Sequence, residues 1–127
     1  MGAMLVYDGY CLTTREKVSS FFQQSGMASW YGREEQGKST ADGEIFNRHE
    51  FTAASRHLPF NTVVHVTNEK NGRSVDVRIN DRGPYAKSRV LDLSEAAADT
   101  LDMKKSGTAP VKIEVVAPAP SQAGMAP

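Results

Sequence analysis

The sequence predicts an all-β domain, a small β-barrel, on three grounds. Apolar residues alternate with polar ones over short runs, as in Val75, Val77 and Ile79 against Asp76, Arg78 and Asn80; successive side chains of a strand point to opposite faces. The runs are broken by turn signals, above all Asn71-Gly72 and Gly83-Pro84. Within this region a single short segment reads as helix. Short strands, Gly/Pro turns and one short helix fit a barrel better than an open sheet flanked by helices.

Taken in order, residues 1–26 form a lead-in in which Thr13 or Thr14 would cap a short helix, REKVSSFFQQ, ended by Gly26. A short aromatic strand is expected over Ser29 to Gly32, with Trp30 and Tyr31 on opposite faces, one ring for the core and one for a surface groove. A Gly- and Ser-containing loop then runs to Gly43. Thr62 to Asn68 alternates, with Val64 and Val66 facing inward, and Asn71-Gly72 returns the chain as a hairpin into Arg73 to Asn80. Beyond Gly83-Pro84 comes a second apolar run, Val90, Leu91 and Leu93, and Ser94 offers an N-cap for a helix to Leu101. Gly107 to Val116 is the last expected strand, with Val111, Ile113 and Val115 inward. The barrel is thus expected over 27–116, and the Pro/Ala-rich stretch 117–127 as a disordered linker or tail, with a further domain beyond it as one outcome.

At 127 residues the chain is long enough for one ordinary domain. Lys plus Arg and Asp plus Glu both number 15, giving a formal net charge of zero. Nucleic acid is therefore not expected as a partner, because phosphate binding needs a basic excess. No run approaches the roughly 18 apolar residues of a transmembrane segment, and no signal peptide is read at the start. Cys11 is the only cysteine, so no intramolecular disulfide can form. His49, His57 and His65 lack the spacing of a metal site, so none is expected.

The stretch Val75 to Ser94 gathers the chemistry. Asn80, Asp81, Arg82, Arg89 and Asp92 surround a rigid turn at the end of a core strand, which is how a scaffold presents a binding or catalytic group. By itself, Asn-Asp-Arg-Gly-Pro reads equally well as a structural turn.

Read in order, SWYG, TADGE, FTAASRHLPF, VTNEKNG, RINDRGP and VLDLS resemble the rare lipoprotein A family over about residues 27–116. The resemblance implies a six-stranded double-psi β-barrel, related to expansins and barwin-like proteins. It also implies a peptidoglycan lytic transglycosylase of the bacterial cell envelope, acting on glycan strands without cofactor or metal. Such an enzyme cleaves between N-acetylmuramic acid and N-acetylglucosamine, and leaves a 1,6-anhydro end. By this resemblance Asp81 is the general acid/base and Glu44 the assisting acid. Tyr31, Ser55, Asn80, Arg82 and Asp92 are the expected substrate contacts. A general acid must hold a proton when needed, and arginines at 78 and 82 would oppose that unless they point elsewhere. Active members commonly carry histidine where this chain has Ser55, and serine cannot titrate near neutrality. A second reading is therefore a non-catalytic, expansin-like glycan-binding module, and a third, weaker one a peptide-binding groove.

Overall fold

The computed structural model describes residues 23–117. Six strands, β1 (Gln23–Tyr31), β2 (Thr52–Ala54), β3 (Val63–Asn68), β4 (Ser74–Asp81), β5 (Arg89–Ser94) and β6 (Thr108–Ala117), close into a barrel in the order β1-β5-β2-β4-β3-β6. The β1/β5 and β2/β4 seams are parallel, and the remaining ones antiparallel. One short helix, α1 (Glu95–Thr100), leaves β5 directly, with the Ser94 side chain accepting from the Ala97 amide as N-cap.

Alternation dictates the interior. Val64 and Val66 of β3, Val77 and Ile79 of β4, Leu91 and Leu93 of β5, and Val111 and Ile113 of β6 are all buried in one cluster. Full burial of each such side chain contributes roughly 1.5–3 kcal/mol. The Asn71-Gly72 hairpin joins β3 to β4 in antiparallel register, Val64 opposite Val77.

Most boundaries agree with the sequence reading to within a residue, and the start of β1 does not. Strand β1 begins at Gln23, six residues before the expected start, so Gly26 lies inside a strand rather than closing a helix. Pairing with β6, Gln23 opposite Glu114 through Ser29 opposite Thr108, recruits polar residues that carry no periodicity of their own. Gly26 has a packing reason: a Cβ there would stand 2.6 Å from Val90 Cγ1. Strand β6 also extends to Ala117, the residue at which the tail was expected to open. The rest of the expected lead-in helix, Cys11 and residues 118–127 lie outside the described residues. Strand β2 escapes periodicity too, because Thr52, Ala53 and Ala54 are all buried and so do not alternate.

Candidate active site

The C-terminal ends of β1 and β4 and the middle of β5 meet on the outer surface of the barrel. Ala54 of β2 pairs with Asp81 on one side and Asp92 on the other, and Ser29 of β1 pairs with Asp92. Register alone therefore brings Ser29, Asp92, Ala54 and Asp81 into one row across four strands.

Among the described residues, Asp81 is held by neutral donors and has no cationic side-chain partner. Its Oδ1 accepts from the backbone amides of Ala41 and Arg82, each at 2.9 Å, and its Oδ2 from the Tyr31 hydroxyl at 3.4 Å. Neither arginine expected to oppose protonation reaches it with a side chain. Arg78 turns to Glu44, and Arg82 Nη1 donates to the carbonyls of Ser55, Leu58 and Asp81 while its guanidinium sits 3.9 Å above the Phe60 ring.

Asp92 is half-buried and accepts from the Ser29 hydroxyl at 3.0 Å. Burial pushes its carboxyl above the usual aspartate range, the Ser29 bond and the Arg89 charge oppose this, and the charges of Glu35 and Asp81 add to the rise. The Tyr31 phenol is raised as well, by burial first and then by the charges of Asp81 and Asp92. A hollow of about 300 Å³ lined by Trp30, Tyr31, Gly32, Arg33, Glu34 and Glu35 lies against this group.

Glu44 is arranged in the opposite way. The loop before it is folded by Asp42, whose Oδ1 accepts from the Thr40 hydroxyl at 2.6 Å and the Glu44 amide at 3.0 Å. Gly43 takes the left-handed conformation at φ 94, which glycine alone adopts at little cost. This aims Glu44 at Arg78, which grips both carboxylate oxygens, while Asn80 Nδ2 donates at 3.2 Å. The Arg78 hydrogen bonds bring the Glu44 carboxyl down to about 2.

Of the expected site residues, the structure gathers Tyr31, Asp81 and Asp92 in one group, with Glu44 and Asn80 beside it. Three expected substrate contacts have other partners. Arg82 binds the backbone carbonyls just named, which tie the end of β4 to the 55–58 turn. Asn80 is 2% exposed and holds Glu44 instead of facing solvent. Ser55 is 5% exposed, and its Oγ accepts from the amides of His57 and Leu58, so it caps a turn. It lines a different hollow, of about 290 Å³, with Arg56, His57, Leu58 and Val90. Tyr31 touches the site through its hydroxyl, while its ring stacks on Phe46 at 4.7 Å. Trp30 is the ring that packs against the core.

Ser29 and Arg78 were not anticipated as site residues. Ser29 was legible as the residue two before Tyr31, on the same strand face. Arg78 shares a face with Asn80 in β4, but its partner lies 34 residues away.

The family model described as lytic transglycolase matches residues 23–113. The chain belongs to this family. It is 50% identical over 99 residues to the endolytic peptidoglycan transglycosylase RlpA of Campylobacter jejuni, covering 78% of this chain and 36% of that protein. To the protein of the same name from Neisseria meningitidis it is 48% identical over 109 residues, covering 86% and 45%. The chain thus spans less than half the length of these relatives. Among solved structures, an expansin of Clavibacter michiganensis matches with a TM-score of 0.62 at 23% identity, over 79% of this chain and 53% of that one. A Streptomyces papain inhibitor matches at 0.61 and 21% identity, over 75% and 94%. These likenesses show the fold, a double-psi β-barrel.

Proposed function

We propose that this barrel is the catalytic domain of a peptidoglycan lytic transglycosylase of the bacterial cell envelope. In this reading it cleaves the bond between N-acetylmuramic acid and N-acetylglucosamine in glycan strands. The observation that carries the reading is the Asp81 carboxyl group: it is fixed by two backbone amides and the Tyr31 phenol, has no cationic side chain among its hydrogen-bond partners within the described residues, and lies across Ala54 from Asp92. Membership of the lytic transglycolase family supports it.

Asp81, protonated, gives its proton to the glycosidic oxygen as the bond to the muramic anomeric carbon breaks. The resulting carboxylate then takes the proton of the muramic 6-hydroxyl as that oxygen bonds to the same anomeric carbon. The 1,6-anhydro ring closes, no water is consumed, and Asp81 is again protonated for the next turnover. Asp92, whose carboxyl is raised by burial, lies across Ala54 from Asp81 and is a further carboxyl facing the glycan in this reading. Glu44 remains an anion and acts electrostatically, favouring positive charge developing at the anomeric carbon.

The position of Ser55 supports the second reading, a glycan-binding module, because its hydroxyl caps a turn and supplies no titratable group. Digestion of purified peptidoglycan, with products read by mass spectrometry, separates the two. The enzyme reading predicts anhydro-ended fragments from wild type and none from Asp81→Asn. Retention of glycan by wild type with no fragments would sink it, and fragments gained in Ser55→His would place the loss at that residue.

A further inference from the structure

An exposed aromatic side chain stands near Ala54, the residue that lies between the two acids. Tyr85 is 84% exposed, the most exposed of the large hydrophobic side chains among the described residues. Its ring nonetheless has a defined place. It folds back over Gly83, where a Cβ would lie 3.9 Å from Tyr85 Cε2 and 4.0 Å from the Ala54 Cβ. Ala54 is the β2 residue paired with both Asp81 and Asp92. The ring is thus at the edge of the row that carries the acids.

The loop bearing this ring is pinned from below. Arg56 Nη1 donates to the carbonyl of Pro84 at 2.6 Å, just before Tyr85, and to that of Arg89 at 2.9 Å, where β5 begins. The Arg89 amide in turn donates to the Ala86 carbonyl at 3.0 Å. An aromatic ring fixed in water costs little entropy to engage, and its flat face suits the C–H face of a pyranose. The other rings near the acids are otherwise engaged: Tyr31 stacks on Phe46, and Trp30 packs on the core.

We propose that Tyr85 is the stacking platform for a sugar ring of the glycan, adjacent to the residue being cleaved, with Arg56 as the positioning residue that holds its loop. This rests on the glycan-cleaving reading above and names the aromatic subsite of that same groove. Tyr31, by contrast, serves Asp81 through its hydroxyl.

The test uses peptide-free glycan strands prepared from peptidoglycan. Binding is measured by calorimetry in the Asp81→Asn background, where cleavage does not intervene, and kinetics in the otherwise native chain. Tyr85→Ala is expected to weaken binding roughly three- to tenfold and to raise KM by the same factor, with kcat changed less than twofold. Tyr85→Phe, which keeps the ring, is expected to bind like the parent chain. Saturation-transfer NMR should show sugar C–H protons against the ring in the parent and not in Tyr85→Ala. Unchanged affinity in Tyr85→Ala overturns the platform, as does an equal loss in Tyr85→Phe, which would make the hydroxyl the contact. Cleavage by wild type with Tyr85→Ala unaffected removes the platform and leaves the enzyme standing. Failure of wild type to bind or cleave removes both.

Discussion

Glu44 and Asp81 lie close together, Glu44 on the Asn80 side chain and Asp81 on the Ala41 amide, and have opposite surroundings. Glu44 faces a guanidinium that takes both its oxygens, so it is fixed as an anion down to about pH 2. Asp81 is held by two amides and a phenol and has a second carboxyl, Asp92, as its neighbour across Ala54. The difference lies in the partners of two acids of the same chemistry: Glu44 is gripped by a guanidinium, and Asp81 accepts from neutral donors. In the proposed reaction the first supplies charge and the second moves the proton.

The largest expected effect tests Asp81. Asp81→Asn keeps an oxygen able to accept from Ala41 and Arg82, so the barrel should melt close to wild type while product formation falls roughly a hundred- to ten-thousandfold. Retained turnover in this variant would move the proton transfer to another residue. The next effect strikes the charged side. Arg78→Leu should cost about 1 kcal/mol in thermal unfolding, the exposure of the pair keeping the loss small, and should lower kcat roughly tenfold.

The pH dependence of stability sharpens the contrast, because the two sides have opposite signs. Glu44 has a lowered carboxyl, so its stabilisation is full above the ordinary glutamate range and is lost as pH falls through about 2. Asp92 has a raised one, so its contribution is full below the ordinary aspartate range and is lost as pH rises through the folded-state value. Asp92→Asn should therefore melt higher than wild type near neutral pH and alike in acid, as followed by circular dichroism. The smallest effect concerns Ser55. Ser55→Ala leaves two turn amides without their acceptor and should cost about 0.5–1.5 kcal/mol, with kcat within twofold of wild type. A larger fall in kcat would bring Ser55 into the chemistry.

The barrel strands of the hairpin and of β5 and β6 were legible because Val64, Val77, Leu91 and Ile113 alternate with polar residues, and one buried face imposes that pattern. The start of β1 was not, since Gln23 to Ser25 are exposed residues ordered only by pairing with β6. In the site, motif order placed Asp81, Asp92 and Glu44 near one another. It could not reveal which arginine serves which acid, because Arg78 meets Glu44 across 34 residues and Arg82 turns to backbone carbonyls. Side-chain direction just before a tight turn is set by tertiary contacts, here the Phe60 ring beneath Arg82.

The division of labour is tested most directly by carbon-detected NMR titration of the side-chain carboxyls in wild type and Arg78→Leu. Glu44 should remain ionised down to about pH 2 in wild type and return toward the ordinary glutamate range once Arg78 is gone. Asp92 should titrate above the ordinary aspartate range in both chains, since burial and not Arg78 raises it. Glu44 titrating normally in wild type, or Asp92 titrating below its ordinary range, would contradict the account.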